Sequence, residues 1–285
     1  MTYRLSNTMP NQSRNVDVKK EEKKKFFFVI EGEKTESIYL QEVAQNVKKD
    51  ALIDVLILER IQGSHSNQYK ITATIQEYVA THSQLTQEIK DNLILLNDQY
   101  EEEELSEVEL IEKLSEILGD KKESLIIEHN NKVIQQIRAL NNLSSYEKDF
   151  DKICLILDRD YRSFKDSQYD LVLEICSESN FLLGITNPNF EFYLLLHLDE
   201  ATSYDQEKIK RNPNVTSKKK YTEYSLNEKL KEYERSYKKN NYDANFFIKK
   251  YSDFKDNITN YSVDNMNLKD NIGSSVHHII NHLLD

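Results

Sequence analysis

Glycine and proline are scarce, with five and three in 285 residues, which disfavours a turn-rich all-β fold and makes helices easy to build. Only two cysteines occur, Cys154 and Cys176, each inside an apolar run and without Cys or His companions at zinc spacing. They read as buried, reduced thiols of a cytoplasmic protein. No apolar run approaches the roughly 20 residues needed to cross a bilayer, so no membrane partner is expected. The opening MTYRLSNTMPNQSRN also lacks the apolar stretch of a secretory leader. Positive charge is in deficit too: the formal net charge of −11 disfavours a protein that coats nucleic acid nonspecifically.

What is present is unevenly placed. Hydrophobic residues make up 38% of the chain, enough to bury a sizeable core. Most of the charge deficit lies in residues 51–150, including six glutamates between Glu101 and Glu109. Residues 201–260 instead carry 14 Lys and Arg against 9 Asp and Glu, so a basic face is compatible with an acidic molecule. The ordinary alternative is a solvated helix face laced with paired charges.

Four short apolar runs stand out: KFFFVIEG (25–32), DVLILER (54–60), KICLILDRD (152–160) and FLLGITNP (181–188). Each is too short for a buried helix. Apolarity that is continuous rather than alternating marks strands covered on both faces, as in a parallel sheet. Helical patterns at 35–48 and 167–177 lie between them, which predicts an open α/β sheet. The long interval before residue 152 reads as helical at 68–85, 106–119 and 123–143. Further helices are expected at 225–239 and 274–284, and residues 1–24 read as a polar tail.

In open α/β sheets, ligands gather at the carboxyl ends of the strands. The first run ends at Glu31, with Glu33 and Glu36 behind it, and Gly32 is expected to permit a tight exit. The third run delivers Asp158 and Asp160, two apart and so leaning to one side of an extended chain. The fourth leads into TNPNFE, where Asn187 is expected to cap a helix, Pro188 to occupy its first turn, and Glu191 to follow. Carboxylates this close repel unless a cation sits among them, and Mg²⁺ needs only two or three because it keeps several waters. The ordinary reading makes Asp158 and Asp160 a turn with Arg159 pairing outward, and Glu191 a helix-surface residue. Phe190, Tyr193, Leu194 and His197 fall on one helical stripe and are expected in the core. Arg211 and Lys218, Lys219 and Lys220 form a basic loop suited to phosphates, or simply a solvated one. No Gly-rich phosphate cradle is present.

VIEGEKTE (29–36), LILDRD (155–160), ITNPNFEFYLLLH (185–197) and NIGSSVHHIINHLL (271–284) together resemble the RloB/AbiLii family of bacterial phage-defence proteins. The resemblance spans roughly residues 25–284 and implies a Toprim-like parallel sheet with flanking helices, a helical insertion and a helical C-terminal region. It places the Toprim-like core at 25–200 and a mainly helical region at 201–285. A compact Toprim domain brings its Glu and DxD closer than the 127 positions from Glu31 to Asp158, so an insertion is expected at about 91–125. The resemblance implies a nuclease that cleaves phosphodiester bonds of RNA or DNA. Asp158 and Asp160 would hold Mg²⁺, or Mn²⁺ in its place, and Glu31 would bind metal or act as general acid/base. Glu191 would complete a second site, and Glu36 would assist at the first. An ABC/SMC-like ATPase is the implied partner. The alternative is a non-catalytic Toprim-like module that docks on that ATPase.

Overall fold

The computed structural model describes residues 23–32, 34–48, 53–57, 67–102, 104–118, 143, 145–161 and 163–284. The expectations for residues 1–22, for Glu33 and for a helix over 123–143 (save Leu143) lie outside the described residues. Among the described residues the first elements are strand β1 (Lys24–Ile30), helix α1 (Thr35–Asn46) and β2 (Ile53–Ile57). Helices α2 (Gln68–Gln84), α3 (Gln87–Glu101) and α4 (Glu107–Leu118) precede β3 (Lys152–Asp158), α5 (Asp166–Ser179) and β4 (Leu182–Asn187). The remainder is α6 (Phe190–Leu195), α7 (Gln206–Arg211), α8 (Tyr221–Lys231), α9 (Ala244–Lys249), α10 (Tyr251–Asn257), β5 (Gly273–Ser274) and α11 (Val276–Leu284).

The sheet has the order β2-β1-β3-β4-β5. All neighbours are parallel except β5, a two-residue strand that runs antiparallel beside β4. Register aligns Ile30 with Ile156 and Asp158 with Thr186, so β1, β3 and β4 end along one edge.

The expected two-sided burial of the strands is observed. Phe26, Phe28, Ile30, Cys154 and Ile156 join a core with Tyr39, Leu40 and the C-terminal helices. Phe27, Ile153, Leu155 and Leu157 join a second core with Ile75 and Val79 of α2 and Tyr169 and Val172 of α5. Successive residues of a strand point to opposite faces, so a strand between two apolar layers must be apolar throughout. Lys24 already lies in β1, so the expected tail cannot extend through residue 24.

The insertion takes the form of a helical hairpin. Leu85, Leu93, Leu96, Leu110 and Leu114 form a core of their own between α3 and α4, apart from the two sheet layers. The hairpin starts at Gln87, a few residues before the expected position, because Thr86 caps α3 by accepting from the Ile89 amide. Ser106 and Glu109 form a reciprocal capping box at the start of α4.

There is no seam in the packing at residue 200. Tyr237, Phe247, Phe254, Val276 and Ile280 share the core of Phe28 and Tyr39. The helix expected over 225–239 stops at Lys231, since Glu234 takes a left-handed φ of 56° and the Arg235 amide returns to the Leu230 carbonyl. That reversal turns Tyr237 inward.

His197 is a satisfied core residue, as its helical stripe predicts. Its Nδ1 donates to the Tyr193 carbonyl at 3.0 Å, which leaves Nε2 to accept from the Tyr39 hydroxyl at 3.0 Å. Burial pushes its pKa from 6.5 down to about 3, so the folded ring stays neutral where the unfolded one takes up a proton. This contribution to stability is complete above pH 6.5 and is lost as the pH falls toward about 3. His197→Gln should be less stable at neutral pH, and between about pH 7 and about pH 5 the wild type should lose about 2 kcal/mol relative to it, read as the change in the difference between their melts.

Candidate metal and nucleic-acid site

Parallel pairing brings Glu31 and Asp158 to the same edge of the sheet. The Glu31 amide donates to the Ile156 carbonyl at 3.2 Å, and the Asp158 amide donates to Glu31 Oε2 at 3.1 Å. Gln68, in the first turn of α2, donates to both Glu31 oxygens at 3.0 and 3.1 Å and to the Asp158 carbonyl at 3.1 Å. Burial raises the Glu31 pKa to about 7, reinforced by the charges of Asp160 and Glu36, although the Asp158 amide and Gln68 pull the other way.

Glu36 sits in the first turn of α1, only 5% exposed, and its Oε2 has no hydrogen-bond partner. Its pKa is also raised to about 7, first by burial and then by the charge of Glu191. Gly32 makes room for it, because a Cβ there would lie 2.2 Å from Glu36 Oε2. Beyond the exit from β1, this position supplies space for a carboxylate.

β3 ends at Asp158, and the next two residues clamp to the β4 edge. The Arg159 amide donates to the Thr186 carbonyl at 2.8 Å and the Asp160 amide to the Pro188 carbonyl at 2.9 Å. Asp160 adopts a left-handed φ of 36°. Asp158 and Asp160 therefore meet through a turn and not through strand alternation, which corrects the expected extended pair. Arg159 does not point outward. It is buried, ion-paired to Asp166 at 2.6 Å, bonded to the Lys269 carbonyl at 2.9 Å and to the Phe164 carbonyl, and lies over the Tyr169 ring. The Asp158 carboxyl is pushed well up, first by burial and then by Glu36, Glu31, Asp160 and Glu191.

Glu191 is the best-satisfied acid of the group. Asn189 Nδ2 donates to its Oε2 at 2.5 Å, and the Tyr237 hydroxyl and Lys239 Nζ both reach its Oε1 at 3.1 Å. It is buried, so a helix-surface role is ruled out. Asn187 does not cap the helix. It lies in β4 and donates to the Leu268 carbonyl at 2.9 Å, while Asn189 takes the capping position of α6.

The basic loop is folded back on itself. Asn214 pairs with Lys220, and the amides of Lys218 and Lys219 donate to Thr216 Oγ1 at 3.2 and 3.0 Å. Lys220 reaches Asp160 at 3.6 Å, whereas Arg211 is paired along its own helix with Glu207 at 3.2 Å. Gln68, Tyr237 and Lys239 lie outside every motif of the sequence, and only the fold brings them to the acids, whereas Asn189 belongs to TNPNFE and stands two residues before Glu191.

Among the described residues, no three His, Cys, Asp or Glu side chains are arranged around one point as a formed metal site. The donor set nevertheless fits a hard divalent cation in its chemistry. Oxygen donors predominate, one buried carboxylate oxygen is unpartnered, and the acids hold one another at raised pKa values that a cation would reverse. Glu31, Asp158, Asp160 and Glu36 are the residues that would hold it, with Glu191 at the side.

A family model described as RloB-like protein matches residues 26–283. No curated protein and no solved structure matches the chain significantly.

Three outcomes follow from the crowded acids. The raised Glu31 and Glu36 pKa values make the chelator-treated protein lose stability as pH rises from 4.5 through about 7, Asp158 adds to the loss because burial and their charges raise it as well, and Asp158→Asn should remove that added part in melts across the interval. At neutral pH without metal, Asp158→Asn should melt above the wild type, by roughly 2–4 °C per kcal/mol of relieved repulsion. Gly32→Ala should displace the Glu36 carboxylate and raise the Mg²⁺ concentration needed to stabilise the fold, read from melts in a Mg²⁺ series.

Proposed function

The chain belongs to the RloB-like protein family, and from that premise we propose that it is a Mg²⁺-dependent Toprim-type nuclease. It would cleave phosphodiester bonds of RNA, such as tRNA, or of DNA, as the effector of an anti-phage abortive-infection system. The observation that carries the reading is the meeting of Glu31 and Asp158 through a direct hydrogen bond at the sheet edge, with Asp160, Glu36 and Glu191 beside them. A cation held there supplies Lewis-acid polarisation of a phosphoryl oxygen and acidifies a water. Hydrolysis adds water across one P–O bond: the attacking oxygen loses a proton and the departing oxygen gains one, so no other reactant is consumed. Glu31 would bind the cation or take a proton from the attacking water, and Gln68 fixes its orientation. Lys218, Lys219 and Lys220 offer ammonium groups to the nucleic-acid backbone next to the acids.

The net charge of −11 supports delivery to substrate by a partner, for which the resemblance suggests an ABC/SMC-like ATPase. Mn²⁺ would serve in place of Mg²⁺. Among the described residues no helix is long and apolar enough to cross a membrane. A second reading, a non-catalytic module that docks on the ATPase, draws support from the lack of three ligands around one point among the described residues.

The deciding experiment incubates the protein, with and without its co-encoded ATPase, with tRNA, other RNA and DNA in Mg²⁺ or in chelator. The nuclease reading expects Mg²⁺-dependent cleavage that falls at least about 100-fold in Asp158→Ala and in Glu31→Gln. If the wild type with its partner cuts none of the substrates, or Asp158→Ala cuts as well as the wild type, the module reading stands.

A further inference from the structure

Two lysines reach the acid cluster from separate segments of the region after residue 200, and this inference rests on the nuclease reading above. Lys220 Nζ lies 3.6 Å from Asp160 Oδ1, and Lys239 Nζ lies 3.1 Å from Glu191 Oε1. Their main chains are anchored. Lys220 pairs with Asn214, and the Lys239 carbonyl accepts from Thr35 Oγ1 at 3.1 Å. Their side chains are not: they are 50% and 60% exposed, and a lysine is a flexible stem carrying a point charge. Each ammonium can therefore swing about a fixed pivot.

Glu191 would remain satisfied without Lys239. Tyr237 and Asn189 each keep a hydrogen bond to it, so release of the lysine leaves no buried oxygen orphaned. Even with both lysines in place the cluster is short of positive charge. Glu36 Oε2 is buried without a partner, and Glu223 adds a further acid beside Lys239.

We propose that Lys220 and Lys239 are exchangeable counter-ions. They neutralise Asp160 and Glu191 while no cation is bound, and a divalent cation entering the cluster releases their ammonium groups to the phosphates of the nucleic acid. Cation binding thereby creates part of the phosphate-binding surface, and by reciprocity bound nucleic acid tightens the hold on the cation. The two lysines oppose the cation and favour the nucleic acid, a pairing of signs that a purely structural lysine does not give.

The test uses the full chain with Lys220→Met, Lys239→Met and Lys239→Arg. Mn²⁺ alone is titrated by calorimetry, and phosphorothioate-linked RNA and DNA oligonucleotides, which resist cleavage, are titrated by fluorescence anisotropy with Mn²⁺ or chelator. Each Met variant should bind Mn²⁺ about three- to tenfold tighter than the wild type, as expected for removal of one nearby positive charge. Each should also bind oligonucleotide at least about threefold more weakly in Mn²⁺, with little of the wild type's gain from chelator to Mn²⁺. Lys239→Arg should return both values toward wild type, and the RNA and DNA arms identify which polymer benefits. Met variants that bind Mn²⁺ no tighter than wild type, or oligonucleotide equally well, overturn the exchange. A wild type that binds no Mn²⁺ at all overturns the nuclease reading together with it.

Discussion

The hydrogen bond from the Asp158 amide to the Glu31 carboxylate joins two residues 127 positions apart, at the ends of adjacent parallel strands. It exists because β1 and β3 pair in a register that sets Ile30 beside Ile156. A slip of one residue would turn Phe26 and Phe28 into the opposite layer and move Glu31 away from Asp158. The same apolar packing that fills the two cores therefore also fixes the geometry of the acids. Gln68 secures the join from above by donating to both partners.

That arrangement opposes the stability of the fold. Burial and mutual repulsion raise Glu31, Glu36 and Asp158 together, so the free protein carries charge it would be more stable without. Compensation comes from hydrogen-bond donors. Glu191 has Asn189 and Tyr237, with Lys239 as an exposed counter-ion, and Glu31 has Gln68 and a backbone amide. Glu36 lacks such a donor for Oε2 and is accommodated by the space at Gly32. Local departures from good solvation of this kind are common where a ligand is to be bound.

The strands were legible because a segment covered on both faces must be apolar along its middle, as Phe26–Ile30 and Ile153–Leu157 are. Glu31, Asp158 and Asp160 were legible because acids directly after such segments land on one edge of a parallel sheet. The hairpin was legible in part, from the helical pattern over 106–119 and the long interval between Glu31 and Asp158, although its start at Gln87 and its separate core were not. What the sequence concealed depends on long-range folding. Arg159 looks like a surface residue beside two acids, yet the distant Lys269 carbonyl and the nearby Phe164 carbonyl draw it inward. The helix over 225–239 reads as continuous by pattern, and the need to bury Tyr237 beside Glu191 ends it early. Lys239 and Gln68 carry no local signal at all.

The shared core of β1 with α9, α10 and α11 has a consequence for how the molecule comes into being. Synthesis runs from the N-terminus, so Phe26 and Phe28 leave the ribosome long before Phe247, Phe254 and Ile280 exist to cover them. Every carboxylate of the site is made while Lys220, Tyr237 and Lys239 are still untranslated. The nascent chain thus holds its acids without the segment that orders them, and the edge of the sheet takes its final form only once Val276–Leu284 has emerged. For a protein read as a nuclease, assembly order itself keeps the site unfinished beside the translation machinery.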